Sequence, residues 1–273
     1  MAKELRFGMG LQAARRQQSV QDWGRRAEDM GFDVVHLPDH LYTTAPFPML
    51  TAVAMATAKL RVGTFVLNAG FYKPALLARD VTTLRDLSGG RFEVGLGAGY
   101  VREEFEQAEL PFPTAGQRVD HLRHVTEHMV EHAPDVPILI AGNGNKLLTI
   151  AAQKANIIGL TGGGPITADS DPLADRIAFV RDAAPDRFED LELNISIIAM
   201  PTDDSGVPDL SLARRFLPEL SDEQMLQTPT VLSGSTVDIA DTIRRYRDDY
   251  GVTYITVQQM HAEAFAKVIA ELR

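Results

Sequence analysis

The sequence contains no cysteine among its 273 residues. This absence excludes disulfide bonds, thiol nucleophiles and cysteine-ligated zinc sites. It fits a reducing compartment, so we expect a cytoplasmic protein. No apolar run approaches the length of a membrane span, and the first residues lack the long apolar segment of a signal peptide. Neither a membrane protein nor a secreted one is therefore expected.

Positive charge is also scarce. The chain has 27 Lys and Arg residues against 37 Asp and Glu residues, which leaves a formal net charge of −10. A protein of this charge is a poor ligand for the phosphate backbone of nucleic acids or for an anionic membrane surface. We therefore expect neither nucleic acid nor an anionic membrane as a partner.

Short apolar segments alternate with helical patterns along the whole chain. Strands are expected over residues 5–11, 34–37, 61–67, 92–96, 136–141, 157–161, 193–200 and 254–258. Helices are expected over residues 20–30 (capped by Ser19), 48–57, 74–88, 117–132, 146–155, 172–184, 236–250 and 261–272, with short helices within 202–228. Eight such units in a chain of this length predict an α/β fold of the (β/α)8 TIM-barrel type, as one domain over residues 1–273. An open doubly wound sheet is the alternative, but it needs a reversal of strand order that sequence cannot show.

The most informative stretch is the glycine-rich fourth strand. Gly89-Gly90 ends the helix before it, and Gly95, Gly97 and Gly99 then alternate along its C-terminal end. Glycines at this spacing indicate either a wall that a ligand approaches closely or tight packing of the strand on its neighbours. A dinucleotide-binding G-x-G-x-x-G motif is not formed, because Tyr100 stands where the third glycine would be.

The carboxyl ends of the strands meet at one face of a barrel, and active sites are built there. The residues expected on that face are Asp39, His40, Asn68, Gly97, Ala98, Gly99, Tyr100, Gly142, Asn143, Gly144, Asn145, Gly162, Gly163 and Gly164. His40 could exchange a proton with a ligand near neutral pH, or only hydrogen-bond a neighbouring loop. Asp39 could orient His40 or cap the following segment. His36 lies inside a strand and is expected in the core.

Residues 142–145 form a Gly-Asn-Gly-Asn run between a strand and a helix. Free backbone N–H groups at such a helix start can bind an anion; an ordinary turn with a helix cap is the alternative. The run is not a Walker A loop, since the Gly-Lys-Ser/Thr sequence is missing.

Four histidines, at positions 121, 124, 128 and 132, fall on one stripe of a single helix. Residues 128–132 formally match H-x-x-E-H, a zinc-protease signature. The helix belongs to the outer ring, however, and no third ligand is placed, so no metal site is expected. A solvated or interface face is the preferred interpretation.

Several motifs together closely resemble the luciferase-like monooxygenase superfamily. They are residues 31–41 (GFDVVHLPDHL), 60–64 (LRVGT), 73–79 (KPALLAR), 87–99 (LSGGRFEVGLGAG), 103–105 (EEF) and 137–144 (PILIAGNG). The resemblance covers about residues 5–165 well and the last third more loosely. Residues 231–235 (VLSGS) are most similar to the actinobacterial branch of deazaflavin (coenzyme F420)-dependent oxidoreductases.

The resemblance implies a barrel that binds a reduced flavin or deazaflavin on the C-terminal face and moves a hydride to or from a small organic substrate. Phe65 and Val66 occupy the place where relatives often carry a non-proline cis peptide. His40 falls beside the reactive ring, and the runs 97–100 and 142–145 fall where relatives hold the phosphate and ribityl chain. F420 is favoured as the cofactor. An FMN-dependent monooxygenase and a non-catalytic barrel, either cofactor-binding or structural, are the alternatives.

Some positions depart from the family pattern. Tyr100 replaces an acid found in dehydrogenases of glucose 6-phosphate, which argues against that substrate. Ala98 stands where bacterial luciferase has an arginine near the phosphate; Arg102 or Lys146 could supply the charge instead. The segment before the fifth strand is shortened, which predicts a shallower site or a rim completed by a partner subunit, and we expect a homodimer. The polar region 202–230 is a candidate lid.

Overall fold

The computed structural model describes residues 4–11 and 20–273. Its strands are β1 (Arg6–Gly10), β2 (Val34–Leu37), β3 (Arg61–Thr64), β4 (Leu67–Asn68), β5 (Phe92–Gly97), β6 (Ile138–Ala141), β7 (Ile157–Leu160), β8 (Glu192–Ile197) and β9 (Val252–Gln258). They are all parallel, and β1 pairs with both β2 and β9, which closes the sheet into a barrel. The predicted TIM barrel is confirmed.

The third position of the barrel differs from the expected single strand over 61–67. It is shared by β3 and β4, both of which pair with β5. Phe65 and Val66 lie between the two strands and are joined by a cis peptide bond, as the resemblance implies. The barrel therefore has eight strand positions, although the described residues form nine strands.

The helices surround this barrel. They are α1 (Val20–Asp29), α2 (Pro46–Ala56), α3 (Pro74–Leu87), α4 (Arg102–Gln107), α5 (Ala115–His132), α6 (Asn145–Lys154), α7 (Pro172–Ala183), α8 (Ser211–Phe216), α9 (Asp222–Leu226), α10 (Thr236–Tyr250) and α11 (Ala262–Leu272). The short helices α8 and α9 lie in the region where they were expected, whereas the sequence pattern does not predict α4. The expected cap at Ser19 lies outside the described residues.

Local sequence explains where the long helices begin and end. In α10 the Ser235 side chain accepts a hydrogen bond from the Asp238 backbone N–H, and Asp238 reciprocates, so two free donors at the helix start are satisfied. Gly251 ends the helix with a positive φ of 70°, which glycine adopts without steric cost. Thr114 and Gln117 form the same capping box at the start of α5.

A buried polar network fills the N-terminal end of the barrel. The Glu93 carboxylate lies 2.6 Å from Arg6 Nη2 and 3.2 Å from His36 Nε2, and it accepts a hydrogen bond from the Tyr254 hydroxyl at 2.9 Å. Burial alone would raise the pKa of Glu93, but the His36 hydrogen bond and the Arg6 charge outweigh it and hold the pKa far below its usual range. Paired charges therefore fill the barrel interior at this end.

The apolar faces of strands and helices pack together outside the barrel. Phe265 of α11 is fully buried and meets Phe7 of β1 edge to face, with ring centroids 5.8 Å apart. Each such aromatic or leucine side chain contributes about 2 kcal/mol by its removal from water. Within the described residues, no helix is both long enough and apolar enough to cross a bilayer.

Candidate active site

A cavity of about 740 Å³ opens at the C-terminal ends of the strands. This volume is typical of small-molecule sites. The structure brings most of the predicted residues to its wall: Asp39, His40, Phe65, Val66, Asn68, Gly97, Ala98, Gly99, Tyr100, Gly142, Asn143 and Gly163. Gly144, Asn145, Gly162 and Gly164 are not among its lining residues.

The lining is largely apolar at the level of the cis peptide. Phe65 and Val66 line the cavity and pack against the buried side chains of Leu139 and Tyr254 inside the barrel. The His36 ring lies 5.3 Å from the Phe65 ring, measured between centroids, and is 1% exposed. His36 is therefore a core residue, as its place in the strand predicts.

The alternating glycines make room for the neighbouring strand position. A Cβ at Gly95 would lie 2.0 Å from the carbonyl oxygen of Thr64, and a Cβ at Gly97 would lie 2.7 Å from Val66 Cγ2. Gly95 is thus required by packing between strands. Gly97 and Gly99 pack closely too, but they also line the cavity, so both interpretations of the glycine pattern apply to different residues of the run.

His40 is held from one side by a buried carboxylate. Its Nδ1 lies 3.0 Å from Glu104 Oε1 and 3.2 Å from Oε2, and Glu104 is 5% exposed. The Leu41 backbone N–H also donates to Glu104 Oε1. A carboxylate can only accept, so the proton of a neutral His40 ring resides on Nδ1. Nε2 has no hydrogen-bond partner within the described residues and is left for a ligand.

Asp39 fits neither of its two expected roles, because its hydrogen bonds within the described residues go to Asn68 and Tyr72. Its Oδ2 accepts a hydrogen bond from the Asn68 backbone N–H at 3.1 Å, and it also hydrogen-bonds the Tyr72 hydroxyl. Burial raises the pKa of Asp39, although these hydrogen bonds oppose the shift. Asp39 therefore joins the end of β2 to β4 instead of capping the segment that follows it.

Glu104 is the main residue whose role sequence reasoning missed. It lies on α4, in the Glu103-Glu104-Phe105 motif, and its position is 64 residues from His40. An acidic pair at the start of a helix usually serves the helix dipole and faces water. Only the burial of Glu104 distinguishes it from Glu103. Burial cannot be predicted from the sequence of a six-residue helix that lacks an apolar periodicity.

A cation lines the cavity at a position that sequence reasoning also missed. The Arg118 guanidinium donates from Nε to the Gly99 carbonyl at 2.8 Å and from Nη1 to the Pro113 carbonyl at 2.6 Å. It also lies over the Phe112 ring, 4.3 Å from the centroid. These contacts fix the guanidinium at the wall beside the exit of β5.

The two cations that were expected to serve the site are directed elsewhere. Arg102 lies 3.8 Å from Glu106, one turn along α4, and Lys146 Nζ lies 2.6 Å from Asp120 of α5. Neither is among the residues that line the cavity. In this structure both side chains contact a neighbouring carboxylate instead of the cavity wall.

The run 142–145 contributes only its first half to the wall. Gly142 and Asn143 line the cavity, and α6 begins directly afterwards without a side-chain cap on its N-terminus. Asn145 turns away, since its Oδ1 accepts a hydrogen bond from Arg176 at 2.7 Å. Close packing requires a glycine at position 162, because a Cβ there would lie 2.8 Å from Pro229 Cγ.

The late region 202–230 supplies part of the wall near the mouth. Phe216 and Leu217, at the end of α8, line the cavity together with Thr230. Phe216 is 60% exposed. In short helices broken by prolines, the sequence does not indicate which side chains point inwards. The contacts of Phe216 and Leu217 with the cavity could therefore not be predicted from the sequence.

The histidine stripe on α5 does not form a single solvated face. His121 Nε2 lies 3.1 Å from the Ala69 carbonyl oxygen and is therefore engaged beneath the surface. His128 and His132 stack on each other, with centroids 3.9 Å apart, and His124 is exposed. Among the described residues, no group of three or more His, Asp or Glu side chains is arranged to hold a metal ion.

Comparison with known proteins identifies the family. The model described as luciferase-like monooxygenase matches residues 5–207. The chain belongs to the luciferase-like monooxygenase family. The 5,10-methylenetetrahydromethanopterin reductase of Archaeoglobus fulgidus is 28% identical to it over 169 residues, which are 55% of this chain and 51% of that protein. The F420-dependent glucose-6-phosphate dehydrogenase of Amycolatopsis mediterranei is 25% identical over 209 residues, which are 64% of this chain and 63% of that protein.

The fold of this luciferase-like monooxygenase family member matches a solved structure along nearly the whole of both chains. The structure of coenzyme F420-dependent tetrahydromethanopterin reductase from Methanopyrus kandleri superposes with a TM-score of 0.76 at 18% identity, covering 99% of this chain and 100% of the other. At this identity the likeness concerns the fold. In sequence, the chain spans about half the length of the curated relatives it matches first.

Proposed function

We propose that this chain is an F420-dependent oxidoreductase that transfers a hydride between the deazaflavin and a small organic substrate. The observation that carries the proposal is His40, fixed by the buried Glu104 carboxylate with Nε2 unpartnered, at the wall of a 740 Å³ cavity. Sequence relatives that are named as F420-dependent support the choice of cofactor.

The residues present suit a flat heterocycle with an anionic side chain. Phe65 and Val66 offer an apolar surface, and Gly97 and Gly99 leave the wall of β5 without side chains. Arg118 supplies a positive charge at the same wall. When bound, F420 would accept or donate a hydride at its ring, and the protein's part is to position it and exclude competing reactions.

The chain's own contribution to the chemistry is proton transfer at His40. When an alcohol carbon loses a hydride and becomes a carbonyl carbon, the hydroxyl proton must leave as well. His40 Nε2 takes that proton, and in the reverse direction it returns the proton to the oxygen. Glu104 holds the ring in the Nδ1–H form, so that Nε2 keeps its lone pair and can accept a proton in the neutral state.

Fluorescence titration of the purified protein with F420 and with FMN tests the cofactor. We expect saturable binding of F420 and weaker binding of FMN. Tight FMN binding without F420 binding would instead support an FMN-dependent monooxygenase. Absence of binding of either cofactor would support a non-catalytic barrel.

The role of His40 is tested by His40→Asn with His124→Asn on the outer helix α5 as the matched control. Turnover of F420 against a panel of alcohols and carbonyl compounds is expected to fall by about 10²-fold or more in His40→Asn, with F420 affinity nearly unchanged. His124→Asn should retain wild-type turnover. Equal turnover of both variants would remove His40 from the reaction.

A further inference from the structure

The wall formed beyond the ends of β8 and β9 faces the wall of the cis peptide across the cavity. In the closed sheet, β8 and β9 take the seventh and eighth of the eight strand positions, opposite the third and fourth, which carry Phe65, Val66 and Gly97. A ligand that fills the space beside a heterocycle on the cis-peptide wall must therefore contact the opposite wall. Six lining residues come from β8, β9 and the connection that follows β8: Ser196, Ile198, Phe216, Leu217, Thr230 and Gln258.

Two polar side chains of this wall have no hydrogen-bond partner among the described residues. One level deeper in the barrel, the fully buried Asn194 donates from Nδ2 to the Tyr254 carbonyl oxygen at 3.0 Å and to Thr256 Oγ1 at 2.8 Å. Ser196 and Gln258 follow on the same faces of β8 and β9, but neither the Ser196 hydroxyl nor the Gln258 amide is hydrogen-bonded there. Both are partly buried, so a polar group that enters the cavity must satisfy them.

The Gln258 side chain extends towards the histidine side of the cavity. Gln258 is level with Gly10 in the pairing of β9 with β1. A Cβ at Gly10 would lie 3.5 Å from Gln258 Oε1, so the amide lies beside the end of β1. β1 pairs in turn with β2, the strand that leads to His40. Only one strand therefore separates the Gln258 amide from the strand that positions His40.

The outer half of the same wall is apolar and is held in place. The helix α8 is anchored by Ala213, which is buried in a small apolar cluster against which Ile198 and Leu217 also pack. Phe216, the last residue of α8, lines the cavity and is nevertheless 60% exposed. A phenyl ring that an anchored helix presents to a cavity offers apolar surface that a ligand can cover.

We infer that this wall selects an amphiphilic substrate: an alcohol or carbonyl compound with a second, uncharged oxygen for Gln258 and Ser196 and an apolar substituent for Phe216. The inference rests on the proposed function and names the substrate class of the same site. The Gln258 amide can both donate to and accept from a hydroxyl, whereas none of the six wall residues has an ionisable side chain to pair with a charged group. A substrate without the second oxygen would leave the polar side chains unpaired, which a specific site penalises.

The polar half of the wall is tested with a phenyl-substituted secondary alcohol and its analogue that carries a second hydroxyl on the neighbouring carbon. Ligand-observed NMR titrations of the F420-loaded and the cofactor-free protein measure Kd, and the loss of F420 absorbance measures kcat/KM. Wild-type protein should favour the diol by about 10-fold or more. Gln258→Leu should reduce this preference to less than about twofold without weakening the binding of the mono-alcohol. Gln153→Leu, at an exposed position of α6, is the matched control and should keep the preference.

The apolar half is tested by replacing the phenyl group of the diol with a methyl group. Wild-type protein should bind the phenyl compound more tightly by about 10-fold, and Phe216→Ala should remove most of that difference. Phe216→Ala should leave the preference for the second hydroxyl unchanged, because that preference belongs to Gln258 and Ser196. Met55→Ala removes an apolar side chain that is 65% exposed on the outer helix α2, and it should behave as the wild type does.

The outcomes separate this inference from the proposed function. If wild-type protein reduces F420 with both alcohols but does not distinguish them, or if Gln258→Leu keeps the full preference, the inference is wrong while the proposed function stands. If F420 does not bind and no alcohol is oxidised, the proposed function fails, and the titrations of the cofactor-free protein decide on the wall by the same preference. Absence of binding of both alcohols in every titration would overturn the inference as well.

Discussion

Replacement of Gly95 by alanine is expected to destabilise the barrel strongly, because backbone atoms fill the space beside it. A Cβ there would lie 2.0 Å from the Thr64 carbonyl oxygen and 3.0 Å from its carbonyl carbon. Favourable contacts between non-bonded heavy atoms require about 3.5–4.0 Å. Either β3 or β5 would therefore have to move by more than about 1 Å, although the closed sheet holds both strands on both sides.

The expected loss of stability follows from the contacts that such a movement of β3 or β5 would disrupt. The Thr64 hydroxyl donates to the Gly95 carbonyl at 2.9 Å and accepts from the Gly95 N–H at 2.8 Å. Overpacking of a rigid site costs about 1–3 kcal/mol, and each weakened hydrogen bond costs about 1 kcal/mol. The free energy of unfolding should fall by about 4 kcal/mol, a large part of the roughly 5–15 kcal/mol typical of native proteins.

Urea unfolding, followed by far-UV circular dichroism and by fluorescence of the single tryptophan, Trp23, measures the change. Gly116→Ala is the control, since a Cβ at this position of α5 meets nothing within 4 Å. It should leave stability unchanged or raise it by up to about 1 kcal/mol. If Gly95→Ala fails to accumulate, Thr64→Val tests the hydrogen bonds alone, with an expected loss of about 2 kcal/mol. A Gly95→Ala protein within about 1 kcal/mol of the wild type would refute the reasoning.

Three further changes test the site and the pH dependence of stability. Glu104→Gln removes the carboxylate that orients His40, so kcat with F420 should fall by at least about 10-fold while F420 affinity stays the same; loss of affinity alone would contradict the positioning role. Burial lowers the pKa of His261 from 6.5 to about 4, so the unfolded chain takes up a proton first and stability falls as pH drops from 6.5 towards 4. His261→Leu should reduce the difference in unfolding free energy between pH 7 and pH 4.5 by about 2 kcal/mol in urea titrations. If the pH profile of stability were unaltered, the lowered pKa of His261 would not be the cause of the pH dependence. Partial burial alone would raise the pKa of Glu28, but the backbone N–H donors of residues 58–60 lower it. The stabilisation by the ionised Glu28 carboxylate is therefore present above pH 4.5 and is lost as the pH falls through the folded-state pKa. Glu28→Gln should lower the free energy of unfolding by about 1 kcal/mol at pH 7 and by much less at pH 3, measured by the same urea titrations.

The long elements were predictable because each carries its own local signals. The strand Val34–Leu37 and the helix Thr236–Tyr250 have the predicted bounds, since a short apolar run and a capped amphipathic pattern need no distant partner to be recognised. The helix Arg102–Gln107 was missed because six residues are too few for a periodicity. The division of the third strand position was not visible either, because 61–67 reads as one continuous β-branched and apolar segment.

Patterns within one segment at a time are enough to predict the order of strands and helices and the glycine-rich exit of the fourth strand position. They also predict the face of the barrel on which polar residues gather. Pairings between segments do not, because they depend on which side chains become buried. Only the closed barrel brings Glu104 against His40 and leaves Arg118 at the wall while Lys146 turns to Asp120. A carboxylate or a guanidinium has the same chemistry everywhere in a chain; its distance to the nearest opposite charge and to water decides what it does, and folding sets both.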